Sequence, residues 1–136
     1  MPTTPHLLRF RATIAGLGEA ASALRDLLST HHVDGDVRYN VELAFEEVAA
    51  NIIRHGHPAG DIEVAIRFDD EIVLIFEDDG VPFDPRDQPA PVPPTSIDDA
   101  PVGGLGLALL KTFLTSMAYQ RTPEHRNRLT LTIPAR

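Results

Sequence analysis

The sequence predicts a single α+β domain in which antiparallel hairpins pack against amphipathic helices. Two regions, 62–76 and 119–133, each contain extended runs with a period of two around a short polar turn, which is typical of hairpins. Two others, 18–30 and 39–56, repeat apolar residues at helical spacing. There is no internal repeat, and 136 residues can bury one core without disulfides. We therefore expect one domain spanning residues 1–136.

The first half of the chain predicts one strand and two helices. Apolar residues alternate with Arg and Thr over residues 8–14, which indicates a strand with one buried face. A helix over 18–30 follows and ends at the polar, Gly-containing segment 31–35. The second helix reads YNVELAFEEVAANIIRHG over 39–56. Asp36 is placed to cap its start, because a carboxylate can accept from free backbone N–H groups there.

The second half predicts two hairpins and a third helix. Residues 62–68 alternate, and the next run, 72–76, is apolar at every position, so we expect a strand covered on both faces. A mostly buried helix is predicted over 105–117. Strands at 119–121 and 129–133 form the last hairpin.

A proline-rich segment lies between the second hairpin strand and the third helix. Seven of the twelve prolines fall within residues 82–101, where no regular period survives. A structureless stretch of this length in a compact domain is typically a functional lid or a linker. Its place between two candidate site motifs favours a lid.

Composition narrows the classes of function. The net charge of -8, from 20 acidic and 12 basic residues, argues against a nucleic acid held by phosphate contacts. The absence of cysteine excludes disulfides and thiolate zinc sites, and is compatible with a reducing compartment. No signal-like N-terminus or run of about 18 apolar residues is present. We expect a soluble, cytoplasmic protein with no membrane partner.

Glu47 and Asn51 form the first candidate site. They are four residues apart on the second helix and so project side by side. A carboxylate at the edge of a buried face can act as a general base, and an amide oxygen is a hard ligand suited to Mg²⁺. The alternative is a solvated acidic edge, which is how we interpret Glu42 and Glu46.

Two further motifs place polar or glycine chemistry at the ends of apolar elements. Asp78 and Gly80 follow a buried strand, where a carboxylate can accept from an exocyclic amine and glycine lets backbone approach a ring. The alternative is that Asp and Gly are ordinary turn residues after a strand. Residues 103–106, Gly-Gly-Leu-Gly, open a helix whose N–H groups and dipole favour an anion. No Walker or dinucleotide motif is present.

The histidines suggest a rival metal site. His31-His32 and His55-x-His57 both lack the helical i,i+4 pairing with a nearby carboxylate that makes such a site specific. A transition-metal site is therefore disfavoured.

Taken together, these motifs resemble the Bergerat-fold ATP site of the GHKL superfamily. The short chain, the helix ending EEVAANIIRHG and the form DDGxPFDP are most similar to the anti-sigma-factor serine/threonine kinases of bacterial partner-switching systems. The resemblance implies a two-layer sandwich, with a mixed, mostly antiparallel sheet covered on one face by helices, and an ATP lid. The residues that match the N box and the first and second glycine boxes are Glu47 and Asn51, Asp78 and Gly80, and Gly104, Leu105, Gly106 and Leu107.

The resemblance also implies roles. Glu47 would activate a serine or threonine hydroxyl on a STAS-type antagonist, Asn51 would bind Mg²⁺, Asp78 would read adenine, and the glycine segment 104–107 would hold the ATP phosphates. Such kinases sequester a sigma factor and tend to be homodimers. Histidine kinases of the same superfamily usually place His where this chain has Glu47, so a serine/threonine kinase is the better match.

Two departures from the family pattern affect the nucleotide site. Pro82 replaces the usual second glycine of the first box, and a proline cannot donate an N–H. No third glycine box is evident, since residues 125–127 read His-Arg-Asn. A non-catalytic regulator that uses nucleotide to gate a protein interaction, or an α/β domain without nucleotide, therefore remains as an alternative.

Overall fold

The computed structural model describes residues 4–87 and 104–135, with side chains throughout except at 104–106. The described residues form five strands and three α-helices. In order they are β1 His6–Phe10, α1 Ile14–Thr30, α2 Gly35–Asn51, β2 Ile62–Phe68, β3 Glu71–Asp78, α3 Gly104–Phe113, β4 Ser116–Arg121 and β5 Asn127–Pro134. A π-helical turn, Ile52–Gly56, continues α2, and a 3₁₀ turn forms at Pro85–Asp87.

The five strands form one sheet in the order β1-β2-β3-β5-β4. Every neighbouring pair of these strands is antiparallel. The predicted α+β class is thus confirmed, and the sheet over the described residues is wholly antiparallel rather than mixed. The ends of β3, β4 and β5 lie together, because Asp78 and Arg121 both pair with Asn127.

The helices cover one face of the sheet. Alternate residues of β2, β3 and β5 are buried against α1 and α2, around Phe45 and Phe76, whose ring centroids are 5.8 Å apart. On the opposite face Val73 and Ile75 are only half-buried. The prediction that residues 72–76 are covered on both faces is therefore wrong. β-branched residues are favoured on any pleated surface, so an apolar run does not by itself show that a second layer exists.

The junction of β1 and α1 lies earlier than predicted. β1 ends at Phe10 and the helix begins at Ile14, so the alternation over 8–14 was not all strand. Thr13 caps the helix, since its Oγ1 accepts from the Gly16 N–H at 3.0 Å. A Cβ at Gly16 would lie 2.2 Å from the Arg11 carbonyl oxygen, so only glycine allows this close turn.

The second helix also begins earlier than predicted. α2 starts at Gly35 with Asp34 as the N-cap, so the assignment of Asp36 as the cap is wrong. Asp36 lies instead in the first turn, where its charge still favours the helix dipole. At the other end the π turn ends at Gly56, which agrees with the predicted helix end at residue 56. His57 follows it in a left-handed conformation with φ of 47°.

The apolar run 105–117 proves to be two elements. α3 ends at Phe113, and Met117 belongs to β4, where it pairs with Leu131. Over residues 107–113 only Leu110 is buried and Leu109 is 50% exposed, so the prediction of a mostly buried helix is also wrong. An apolar run does not by itself distinguish a helix from a strand over a few residues. The predicted lid falls mostly on residues 88–103, which lie outside the described residues.

None of the helices within the described ranges is both long and apolar enough to cross a lipid bilayer.

Candidate functional site

Asn51 and Asp78 line one cavity beneath the end of α2 and the ends of β3, β4 and β5. Its apolar walls include Val48, Ile52 and Leu129. Two of the three polar side chains named for the site thus share a wall, although 27 positions separate them in the chain, whereas Glu47 does not line this cavity. Their roles in binding stay predictions.

Asp78 is held at the end of β3 by two hydrogen-bond donors. Only 2% of the residue is exposed, and its Oδ1 accepts from the Gly80 N–H at 2.8 Å and from Asn127 Nδ2 at 3.2 Å. Burial raises the pKa of the Asp78 carboxyl, while these two donors oppose the rise. The carboxylate is therefore desolvated but oriented.

Gly80 is where two backbone segments meet. A Cβ built on Gly80 would lie 2.3 Å from the Gly56 carbonyl oxygen, and the next amide, of Val81, donates to that oxygen at 2.9 Å. The absence of a side chain at Gly80 allows this close approach. The group that approaches is the end of the π turn, whereas the sequence suggested the ring of a base. The proposed role of Gly80 against a base remains a prediction.

Asn127 is the functional candidate that the sequence did not reveal. Its Oδ1 accepts from the Tyr119 hydroxyl and from Arg121 Nη1, and its Nδ2 donates to the Val81 carbonyl at 2.8 Å as well as to Asp78. The β4–β5 turn before it includes His125 in a left-handed conformation with φ of 61°, a place that glycine usually takes. An Asn directly after a non-glycine turn was the only signal available.

The other end of the site contains unpaired polar atoms. Asn51 is 4% exposed, and its Oδ1 accepts from Arg54 Nη2 at 3.1 Å, whereas its Nδ2 has no partner among the described residues. Glu47 Oε2 is also buried without a partner in the described part of the chain. Desolvation raises the pKa of Glu47, and the Arg54 charge partly offsets that rise.

These groups suit a hydrated Mg²⁺ ion. Carboxylate and amide oxygens are hard ligands, and Mg²⁺ usually keeps several waters that can accept from Asn51 Nδ2 or donate to Glu47 Oε2. Asn51 Oδ1 retains a second lone pair beside the Arg54 bond. The described residues, including those of this site, contain no cluster of three His, Asp or Glu side chains that could hold a metal.

The glycine segment begins α3. Residues Gly104–Leu107 form its first turn, and α3 contacts α2. Leu107 is half-buried against the core. The prediction that this turn holds phosphates is not tested by these contacts, and Gly103 lies outside the described residues.

The part of the cavity that the centre of a water molecule can reach has a volume of about 10 Å³, which is enough for roughly one water molecule. Phe83 and Pro85 lie against it, and the Phe83 ring stacks on His55 with centroids 5.2 Å apart. A nucleobase cannot enter this cavity unless these side chains move.

Comparisons with known proteins agree with this architecture. The profile of the histidine kinase-like ATPase domain family matches residues 10–133. The serine/threonine-protein kinase BtrW of Bordetella bronchiseptica is 36% identical over 115 residues, which cover 81% of this chain and 76% of that protein.

Two solved structures share the fold. One contains the RsbU and RsbW domains of a Mycobacterium tuberculosis protein and aligns with a TM-score of 0.63 at 18% identity, over 97% of this chain and 32% of that one. The chain therefore spans about a third of that protein. The other, the SiaB–SiaC complex of Pseudomonas aeruginosa, has a TM-score of 0.56 at 15% identity, over 94% and 88% of the two chains. The family profile and the kinase relative together show that this chain belongs to the histidine kinase-like ATPase domain family.

Proposed function

We propose that this protein is an ATP- and Mg²⁺-dependent protein serine/threonine kinase that acts as a partner-switching regulator. The observation that carries the proposal is the buried Glu47 Oε2, which has no hydrogen-bond partner among the described residues and lies one helical turn from the buried Asn51. An unpaired buried carboxylate oxygen costs stability, and a bound substrate hydroxyl would give it a hydrogen-bond partner.

The transfer itself needs one proton acceptor and a held phosphate chain. Glu47 accepts the proton of the serine or threonine hydroxyl while the hydroxyl oxygen bonds to the γ-phosphorus of ATP. The bond between that phosphorus and the bridging oxygen breaks, and ADP leaves. The raised pKa of Glu47 makes it a better proton acceptor than an ordinary surface carboxylate.

The other groups position the nucleotide. Asn51 would hold Mg²⁺, which neutralises phosphate charge when bound. Asp78 would accept from the adenine amine, with Gly80 beside the ring. The first turn of α3, Gly104–Leu107, would offer backbone N–H groups to the phosphates.

The proposed phosphoacceptor is a STAS-type antagonist. The kinase name of the Bordetella relative and the domain names of the Mycobacterium structure support a partner-switching role. Sequestration of a sigma factor and formation of a homodimer belong to the same proposal.

The direct test is transfer of label. The purified protein is incubated with γ-labelled ATP, Mg²⁺ and candidate STAS-domain proteins, with a matched reaction in EDTA. We expect label on the partner, dependent on Mg²⁺ and stable to acid, as a serine or threonine ester is. Label that is lost in acid would indicate histidine phosphorylation and contradict the proposal.

A second candidate function is a non-catalytic, nucleotide-gated binding protein. The observation that favours it is the small cavity with Phe83 and Pro85 in its wall, because nucleotide could then act by displacing these side chains. In that case ATP would change partner affinity in a pull-down titration while no label was transferred.

A further inference from the structure

The two oxygens of the Asp78 carboxylate have different surroundings. Oδ1 accepts from the Gly80 N–H and Asn127 Nδ2, whereas Oδ2 has no hydrogen-bond partner in the described ranges. Because Asp78 lines the cavity, Oδ2 is the oxygen available to a ligand there. Two donors on Oδ1 favour the ionised form, which can only accept.

The Asn127 amide cannot be turned over without losing its contacts. Its oxygen accepts from three donors, the Tyr119 hydroxyl, Arg121 Nη1 and the Phe83 N–H, and its nitrogen donates to Asp78 Oδ1 and to the Gly80 and Val81 carbonyls. A hydroxyl can also accept, but a reversed amide would oppose donor to donor at Arg121 and Phe83 and acceptor to acceptor at Asp78 and the two carbonyls. Arg121 and the Phe83 N–H thus fix which end of Asn127 reaches Asp78.

Arg121 also ties this arrangement to the backbone after Asp78. Its Nη1 donates to the Gly80 carbonyl at 2.8 Å as well as to Asn127 at 3.1 Å. The strand pairing explains the proximity, since Asn127 is the register partner of both Asp78 and Arg121. The amide is therefore held by elements on both sides of β5.

We propose that Asn127 is a positioning residue that makes this pocket select bases with an exocyclic amine facing Asp78 and reject bases with a carbonyl there. The inference rests on the nucleotide binding proposed above. An acceptor-only carboxylate pairs with an amine, but beside a carbonyl it leaves two buried acceptors unpaired, which is a strong source of discrimination.

The decisive variant is Asn127→Asp. It replaces the donor 3.2 Å from Asp78 Oδ1 with a second carboxylate, and two adjacent carboxylates cannot both ionise readily. One of the two carboxyls then takes up a proton, and with that proton on Oδ2 Asp78 donates to a carbonyl instead of accepting from an amine. The probes are ATP and inosine triphosphate, which differ at the six position of the purine, an amine in one and a carbonyl in the other, and at the adjacent N1, which carries a hydrogen only in inosine. Their dissociation constants are measured by competition against a fluorescent nucleotide.

We expect the unmodified protein to bind ATP at least about tenfold more tightly than inosine triphosphate, and the Asn127→Asp variant to bring the two within about threefold. Arg128→Gln is the matched control. Arg128 is adjacent in β5 but lies on the open face, where it pairs with Glu77 at 2.6 Å, so its loss should leave the ratio unchanged.

If Asn127→Asp does not fold, Tyr119→Phe is the second variant that tests the inference. It removes one donor to the Asn127 oxygen without touching Asp78, and should lower the ATP preference by a smaller factor. A folded Asn127→Asp protein that keeps the full preference overturns the inference, as does an unmodified protein that binds both nucleotides equally. If Asn127→Asp is unfolded, an unchanged ratio in Tyr119→Phe overturns it instead. Failure of the unmodified protein to bind either nucleotide shows that the proposed function itself is wrong.

Discussion

The two ends of the candidate site are built in opposite ways. Around Asp78 and Asn127 each functional side chain has several hydrogen-bond partners, drawn from three strands and the following loop. Around Glu47 and Asn51, one oxygen and one amide nitrogen are buried with no partner in the described part of the chain. At the first end only Asp78 Oδ2 lacks a partner among the described residues, and the side chains are already oriented, whereas at the second end the polar atoms are buried without partners there.

This difference suggests how the protein divides stability and function. Satisfied buried polar groups rigidify a structure, whereas unsatisfied ones cost free energy and tend to mark sites where a ligand completes the network. The end near Asp78 should therefore respond to mutation mainly in folding and base recognition. The end near Glu47 should respond mainly in chemistry.

The largest expected effect is on phosphoryl transfer by the Glu47→Ala variant. Loss of the general base should lower the transfer rate by about 10²–10⁴-fold, while ATP affinity changes by less than about threefold. The measurement is label transfer to the partner under single-turnover conditions. Glu46→Ala is the control, since Glu46 is the exposed neighbour on the same helix. A Glu47→Ala protein as active as its parent would remove the proposed mechanism.

The next largest effect is on folding, at the Asp78 end. Gly80→Ala should lower the free energy of unfolding by about 1–3 kcal/mol, because the new Cβ would lie 2.3 Å from the Gly56 carbonyl oxygen. Gly56→Ala is a matched comparison, since its Cβ would have ordinary contacts no closer than 3.6 Å. Urea denaturation of both variants checks the difference, and equal losses would show that this end is not tightly constrained.

A smaller effect is expected on nucleotide affinity in Asp78→Asn. The new amide oxygen must still accept from Gly80 and Asn127, so the amide nitrogen takes the place of Oδ2 and opposes an incoming amine. ATP binding should weaken by about tenfold or more, measured by equilibrium dialysis. Asp79→Asn should bind normally, because Asp79 instead accepts from the exposed Gly60 N–H. Unchanged affinity in Asp78→Asn would exclude Asp78 as the base-reading group.

The smallest effect is a pH-dependent gain in stability for Glu47→Gln. A carboxyl whose pKa is raised by folding supports the fold when protonated, below about pH 4.3, and that support is lost as pH rises through the folded pKa. The Gln variant does not titrate, so its advantage should be absent in acid and grow toward neutral pH, to less than about 1 kcal/mol for this half-exposed group. Denaturation curves at several pH values test this. An advantage that is constant with pH would point to packing instead.

Sequence reasoning was most successful where local pattern decides structure. The alternation in 62–68 and the helical spacing in 39–56 correctly gave β2 and α2, because both periods report one buried face. It failed at the boundary between α3 and β4, where Thr115 and Ser116 were read as part of a longer apolar helix.

The site residues likewise divide into those that a local sequence pattern predicts and those that it does not. Asn51 could be named in advance from its four-residue spacing to Glu47 on a helix, and Asp78 because a carboxylate follows a buried strand. Asn127, Tyr119 and Arg121 could not, since their contacts arise from the register of β4 against β5 and of β5 against β3. That register depends on the whole sheet, and no local spacing encodes it.

The hydrogen bond from the Val81 N–H to the Gly56 carbonyl joins the two ends through a single amide. Gly56 closes the π turn that starts directly after Asn51, and Val81 precedes the residues that fill the cavity. Hydrogen–deuterium exchange at the Val81 amide would therefore register any displacement of Phe83, and so give a spectroscopic measure of nucleotide loading that requires no catalytic turnover.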